Sequence, residues 1–111
     1  MNNLNNLIDE LWEKIETKVK VKNNIPEKTF TTLQALKAME ELGEVADLLL
    51  RSWHTRKDKK ISTEDIREKL GKEIADVIIA LFTLAKSQNI DITKELENKI
   101  KFEIKRWKDE P

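Results

Sequence analysis

A chain of 111 residues builds one hydrophobic core rather than two, and its 21 Lys plus Arg balance 21 Asp plus Glu, so it has neither a global basic field for nucleic acid nor the acidic excess of a disordered tail. Cysteine is absent, which excludes disulfides, thiolate metal sites and cysteine nucleophiles together. The N-terminal MNNLNNLIDELW lacks the basic and apolar blocks of a signal peptide, and the longest apolar run is well short of the ~20 residues a membrane span needs. A cytoplasmic protein is expected, with neither a membrane nor a nucleic-acid polymer as partner.

Two glycines and two prolines among many Glu, Lys, Leu and Ile residues leave little material for strands, so the chain reads as all-α, a single domain over 1–111 arranged as a four-helix bundle. The first helix is expected over 5–20, with Leu7, Ile8, Leu11, Trp12, Ile15 and Val19 near i, i+3, i+4 spacing, ending before Asn23, Asn24 and Pro26. Thr31-Thr32-Leu33-Gln34 has the form of a capping box and places the second helix over 31–55. The RKDKK run that follows reads as solvated charge, and His54 beside it as surface decoration. Ser62-Thr63-Glu64-Asp65 supplies a cap with acids in the first turn, which starts the third helix over 63–86. Asp91 is the expected N-cap of a fourth helix over 92–108, whose apolar stripe is Leu96, Ile100, Ile104 and Trp107.

Between Ile74 and Ala85 the third helix carries an apolar residue in nearly every direction around its axis, so it has to be covered on all sides. Three other helices, two of them heavily charged, do this poorly. An obligate homo-oligomer, dimer or tetramer, with helix three in the dimer core is therefore expected over closure within one chain.

Two acidic clusters stand against this apolar background. Glu40, Glu41 and Glu44 share one helix, and Glu73 and Asp76 share the next, each set at spacings of three or four that put like charges side by side. Acidic pairs on a helix are usually solvated decoration, and for the first cluster alone that reading is the stronger. Asp76 changes the balance, because aspartate is a poor mid-helix residue and stands here between Ala75 and Val77 in a run that should be buried. An ionised carboxylate withdrawn from water costs several kcal/mol unless a partner or a metal compensates. Carboxylates without cysteine, and with a single histidine in the chain, point to a hard cation, Mg²⁺ with Mn²⁺ as a substitute.

Glu40-Glu41-Leu42-Gly43-Glu44 and Glu73-Ile74-Ala75-Asp76, separated by the 28 residues of 45–72, resemble the Glu-Glu-x-x-Glu and Glu-x-x-Asp pattern of the MazG-like nucleotide pyrophosphohydrolases of the all-α NTP pyrophosphatase superfamily. The resemblance spans about 33–107 and includes the setting of the acids. It implies that Glu41, Glu44, Glu73 and Asp76 ligate Mg²⁺ on a triphosphate, that Glu40 or Glu41 orients or deprotonates water, and that water attacks the α-phosphorus. The products would be a nucleoside monophosphate and pyrophosphate, in a house-cleaning role toward noncanonical nucleotides. It further implies that Lys99 and Arg106 contact phosphates in a Lys-x-x-x-Asn-x-x-Arg-aromatic pattern, in which Glu103 replaces Asn and Trp107 is the aromatic. Trp53 is a base-stacking candidate by the same likeness, although tryptophan at helical spacing more often packs in a core. The alternatives are a sibling pyrophosphohydrolase acting on dUTP or phosphoribosyl-ATP, and a noncatalytic helical dimer that binds nucleotide or scaffolds a partner.

Overall fold

The computed structural model describes the backbone of residues 2–55 and 63–108 and the side chains of 3–53 and 63–108. The charge run of 56–60 and the His54 side chain lie outside what is described. Four α-helices form among the described residues: α1 (Asn2–Ile15), α2 (Glu27–Thr55), α3 (Thr63–Ser87) and α4 (Ile92–Lys108). None of them is long and apolar enough to cross a membrane.

Capping chemistry explains most boundaries. After α1 the chain continues as a π-helical segment over Glu16–Val21, in which the Lys22 N–H donates to the Thr17 carbonyl at 3.2 Å. Asn24 then adopts φ 52°, the left-handed conformation that asparagine tolerates, and the Ile25 N–H reaches back to the Lys20 carbonyl at 2.9 Å. The same motif ends α3: Asn89 has φ 56°, and the Ile90 N–H donates to the Ala85 carbonyl at 2.9 Å. Asp91 Oδ1 accepts from the Lys94 N–H at 3.1 Å and caps α4. Helix α2 differs from its expected start. It begins four residues before Thr31, because Pro26 supplies a preset φ and its carbonyl accepts the Phe30 N–H at 2.8 Å. Thr31 and Thr32, now inside the helix, donate their hydroxyls to the carbonyls of Glu27 and Lys28 instead of capping.

The architecture is an antiparallel hairpin of α2 and α3, against which α1 and α4 lean. Residues 34, 38, 41, 45, 48 and 52 of α2 are buried or half-buried, and so are 66, 70, 73, 77, 80, 84 and 87 of α3. Both series step by alternating threes and fours, the spacing that keeps a seam facing its partner helix. Small residues at the seam, Ala38, Ser52, Ala80 and Ser87, let the helices approach, and the Ser52 and Ser87 hydroxyls donate to their own helix at Leu49 and Leu84. At one end Phe30 is the most deeply buried large side chain among the described residues, with Trp12 of α1 packed on it at a ring separation of 5.9 Å. Lys86 pairs with Asp9, and Thr31 hydrogen-bonds Ser87 at 3.1 Å, so α1, the start of α2 and the end of α3 meet there.

One chain does not close this arrangement into a compact bundle. Its radius of gyration is 17.6 Å, against about 13 Å for a compact domain of this length. Its accessible surface of 9142 Å² exceeds the roughly 6,300 Å² expected for 13.0 kDa. Ile74, Ile78, Ile79 and Leu81 of α3 and Leu96, Ile100, Ile104 and Trp107 of α4 are all exposed.

Candidate metal centre

The seam places carboxylates where a helical hairpin ordinarily has leucine. Glu41 sits between Ala38 and Val45 on α2 and keeps only 7% of its surface exposed. Glu73 sits between Leu70 and Val77 on α3 and is half-buried. The two helices thus present both groups to each other across the interface, and Asp76, less than one turn beyond Glu73, joins them from the rim.

This placement corrects the expectation for Asp76, which is exposed in the single chain rather than buried in the apolar run. The reason is rotational. The face of α3 that meets α2 runs through 73, 77 and 80, and residue 76 lies at its edge. The burial penalty argued for Asp76 falls instead on Glu41 and Glu73.

Oxygens of Glu41, Glu73 and Asp76 lie within 4.8 Å of one another, as do oxygens of Glu40, Glu41 and Glu44, so Glu41 belongs to both groups. Two negative groups brought this close need compensation, and Lys37 supplies part of it. Its Nζ is 3.0 Å from Glu41 Oε1 and 3.7 Å from Glu40 Oε1. The hydrogen bond to Glu41, and then the charge of Glu40, hold the Lys37 ammonium above its ordinary pKa. No such partner reaches Glu73: its Oε2 is buried and makes no hydrogen bond among the described residues. Lys37 was not singled out from sequence, although its offsets of three and four from Glu40 and Glu41 carry the signal.

Glu44 registers the crowding. Chiefly the charge of Glu41, and next its contact with Glu73, push the Glu44 carboxyl above its ordinary 4.5. The folded chain then holds a proton that the unfolded chain has released, so the stability tied to that proton is lost as pH rises from the ordinary value through the raised one. Thermal melts of the metal-free wild type beside Glu44→Gln, from about pH 4 to about pH 7, are expected to show the wild type losing ground to the variant as pH rises. A constant difference across that range would contradict the assignment.

The donor set fits a hard cation. Octahedral oxygen ligands at about 2.0–2.1 Å from Mg²⁺ stand roughly 3–4 Å from each other, which side-chain adjustment reaches from the observed spacing. Charge-dense carboxylates from two helices and an unpartnered buried oxygen are what such an ion satisfies.

Two grooves flank the carboxylates along the hairpin. One, of about 610 Å³, is walled by Val19, Leu33, Leu36 and Ile79, with Gln34 and Thr83 as polar points and Lys37, Glu40, Glu41 and Asp76 at the acidic end. The other, of about 700 Å³, lies toward the end of α2 and the start of α3 and is rimmed by Arg51, Lys69 and Lys72 beside Glu44, Asp47 and Glu73.

Other residues named from sequence lie elsewhere. Lys99 and Arg106 line neither groove; both pair with Glu103, at 3.2 Å each, and lean on Phe102 and Trp107. Glu103, the departure from the family pattern, therefore acts as the counter-ion of both cations within one chain. Trp53 also lines neither groove and is 61% exposed, whereas Trp12 packs on Phe30. Compared with family models, curated proteins and solved structures, the chain finds no match.

Proposed function

We propose that this protein is a Mg²⁺-dependent nucleotide pyrophosphohydrolase, converting a nucleoside or deoxynucleoside triphosphate to the monophosphate and pyrophosphate. The observation that carries the reading is the convergence of Glu41, Glu73 and Asp76 from two helices, with a buried, unpartnered Glu73 oxygen at its centre. A hairpin selected for stability alone has reason to fill the seam positions 41 and 73 with apolar residues. The motif resemblance supports the same reaction.

In this reading Glu41, Glu44, Glu73 and Asp76 hold the cation. When bound it neutralises the polyphosphate and lowers the pKa of water. Glu40 or Glu41, both on the wall of the apolar groove, orients the attacking water and accepts its proton. The new bond forms between water oxygen and the α-phosphorus, and the bond from the α-phosphorus to the α,β-bridging oxygen breaks, releasing pyrophosphate. Lys37 offsets negative charge on Glu40 and Glu41, and the apolar walls limit competing solvent.

The assembly belongs to the proposal too. The surplus surface and the exposed apolar side chains of α3 and α4 support a homodimer or homotetramer that covers α3. Sedimentation equilibrium is expected to return a dimer or tetramer for the wild type and a monomer for Ile78→Glu; a wild-type monomer would overturn this part.

The test of the reaction is pyrophosphate release from a panel of triphosphates, with and without Mg²⁺, wild type beside Asp76→Asn. Metal-dependent monophosphate and pyrophosphate, lost in the variant, is the expected result. A folded wild type that turns over none of the panel would overturn the enzymatic reading in favour of a noncatalytic helical oligomer.

A further inference from the structure

Resting on the pyrophosphohydrolase reading, we infer that Lys69 and Lys72 on the first half of α3 hold the terminal phosphates, so that the triphosphate runs from the carboxylates toward the Arg51 end of the hairpin. The two grooves differ in the charge they present. Beside the apolar walls, one cation, Lys37, faces the three carboxylates Glu40, Glu41 and Asp76, and its ammonium is already engaged by two of them. That groove repels a polyanion. In the other groove, three cations face the three carboxylates Glu44, Asp47 and Glu73. Once a divalent ion sits on the Glu44 and Glu73 side, this groove carries net positive charge and the apolar one does not.

Arg51 is held by Asp47 at 3.0 Å, but the two lysines are available. Lys69 has no ion-pair or hydrogen-bond partner among the described residues. Lys72 meets Glu68 at 3.4 Å in a pair whose side chains are 76% and 68% exposed, a contact that phosphate displaces at little cost. Both lysines stand within four residues of Glu73, so a phosphate next to the ion on Glu73 is within reach of a flexible ammonium. Half-buried Leu48 and Ile66 form the apolar floor beneath them. The nucleoside end is left the opposite groove, whose Leu33, Leu36 and Ile79 walls suit a base, with the Gln34 amide as a polar contact for its edge.

The experiment is titration calorimetry at low ionic strength with two probes, Mn²⁺ alone and inorganic tripolyphosphate in the presence of Mg²⁺. It compares wild type, the pair Lys69→Gln with Lys72→Gln, and the pair Lys99→Gln with Arg106→Gln. All four positions are exposed on helices, and glutamine is a good helix former, so folding is retained. The first pair is expected to bind tripolyphosphate at least about tenfold more weakly while Mn²⁺ affinity stays within about twofold; the second pair is expected to match wild type. Unchanged tripolyphosphate binding in the first pair, an equal loss of Mn²⁺ affinity, or a loss confined to the second pair would each overturn the inference while leaving the carboxylate site standing. A wild type that binds no Mn²⁺ would remove the carboxylate reading and this inference with it.

Discussion

Asp76→Asn and Glu73→Gln are each expected to lose at least about a hundredfold in Mg²⁺-dependent pyrophosphate release, because a direct ligand matters at least as much as the outer partners whose loss costs 10–100-fold. Their stabilities should diverge, which separates a metal-holding role from a structural one. Asp76 is exposed, so its neutral isostere is expected to leave the metal-free melting temperature within about 2 °C of wild type. Glu73 places an unpartnered carboxylate oxygen in the seam against Glu41, and glutamine there removes a like charge and offers an amide donor to its neighbours. Relief of about 1 kcal/mol is the expected scale, a rise of roughly 3–5 °C without metal. Adding Mg²⁺ should then raise the wild-type melting temperature and leave both variants unmoved. A Glu73→Gln protein that melts lower than wild type without metal would mean that the carboxylate serves the hairpin.

Phe30→Ala is expected to have the largest effect on folding. Phe30 is 1% exposed and joins α1 to the hairpin through Trp12, while the Lys20 ammonium of the π-helical segment lies 5.9 Å above its ring. Truncating a buried phenylalanine costs about 3–5 kcal/mol, a large share of the 5–15 kcal/mol that holds a domain of this kind together. The melting temperature should fall by about 12–20 °C. Fluorescence locates the damage, because Trp53 and Trp107 are already 61% and 64% exposed and a red shift therefore reports Trp12 leaving its site. Loss of stability without that shift would mean that α1 stays docked by other contacts.

Local rules carried most of the secondary structure. Asn24 and Asn89 end helices because asparagine accepts a positive φ, and Asp91 caps α4 through a side-chain bond visible in its spacing from Lys94. The start of α2 was misread because Thr31 has two uses, as a cap or as a donor to its own helix, and Pro26 decided between them. The acidic pattern was legible as well, since like charges at spacings of three and four are conspicuous on a helix.

The amino-acid sequence alone determined an all-helical chain, the helix ends set by asparagine and aspartate, and the pairing of an acidic cluster on each of two helices. Those depend on contacts within a turn or two. Only the tertiary structure decided which carboxylates are buried, because burial depends on the rotation of α2 against α3, and that rotation turned Glu41 and Glu73 inward and left Asp76 at the rim. It likewise decided that Lys69 and Lys72 rim a groove beside the cluster while Lys99 and Arg106 line neither groove, and that one chain leaves α3 uncovered. Each of these follows from packing between helices, in which a side chain's surroundings are set by residues far from it along the chain.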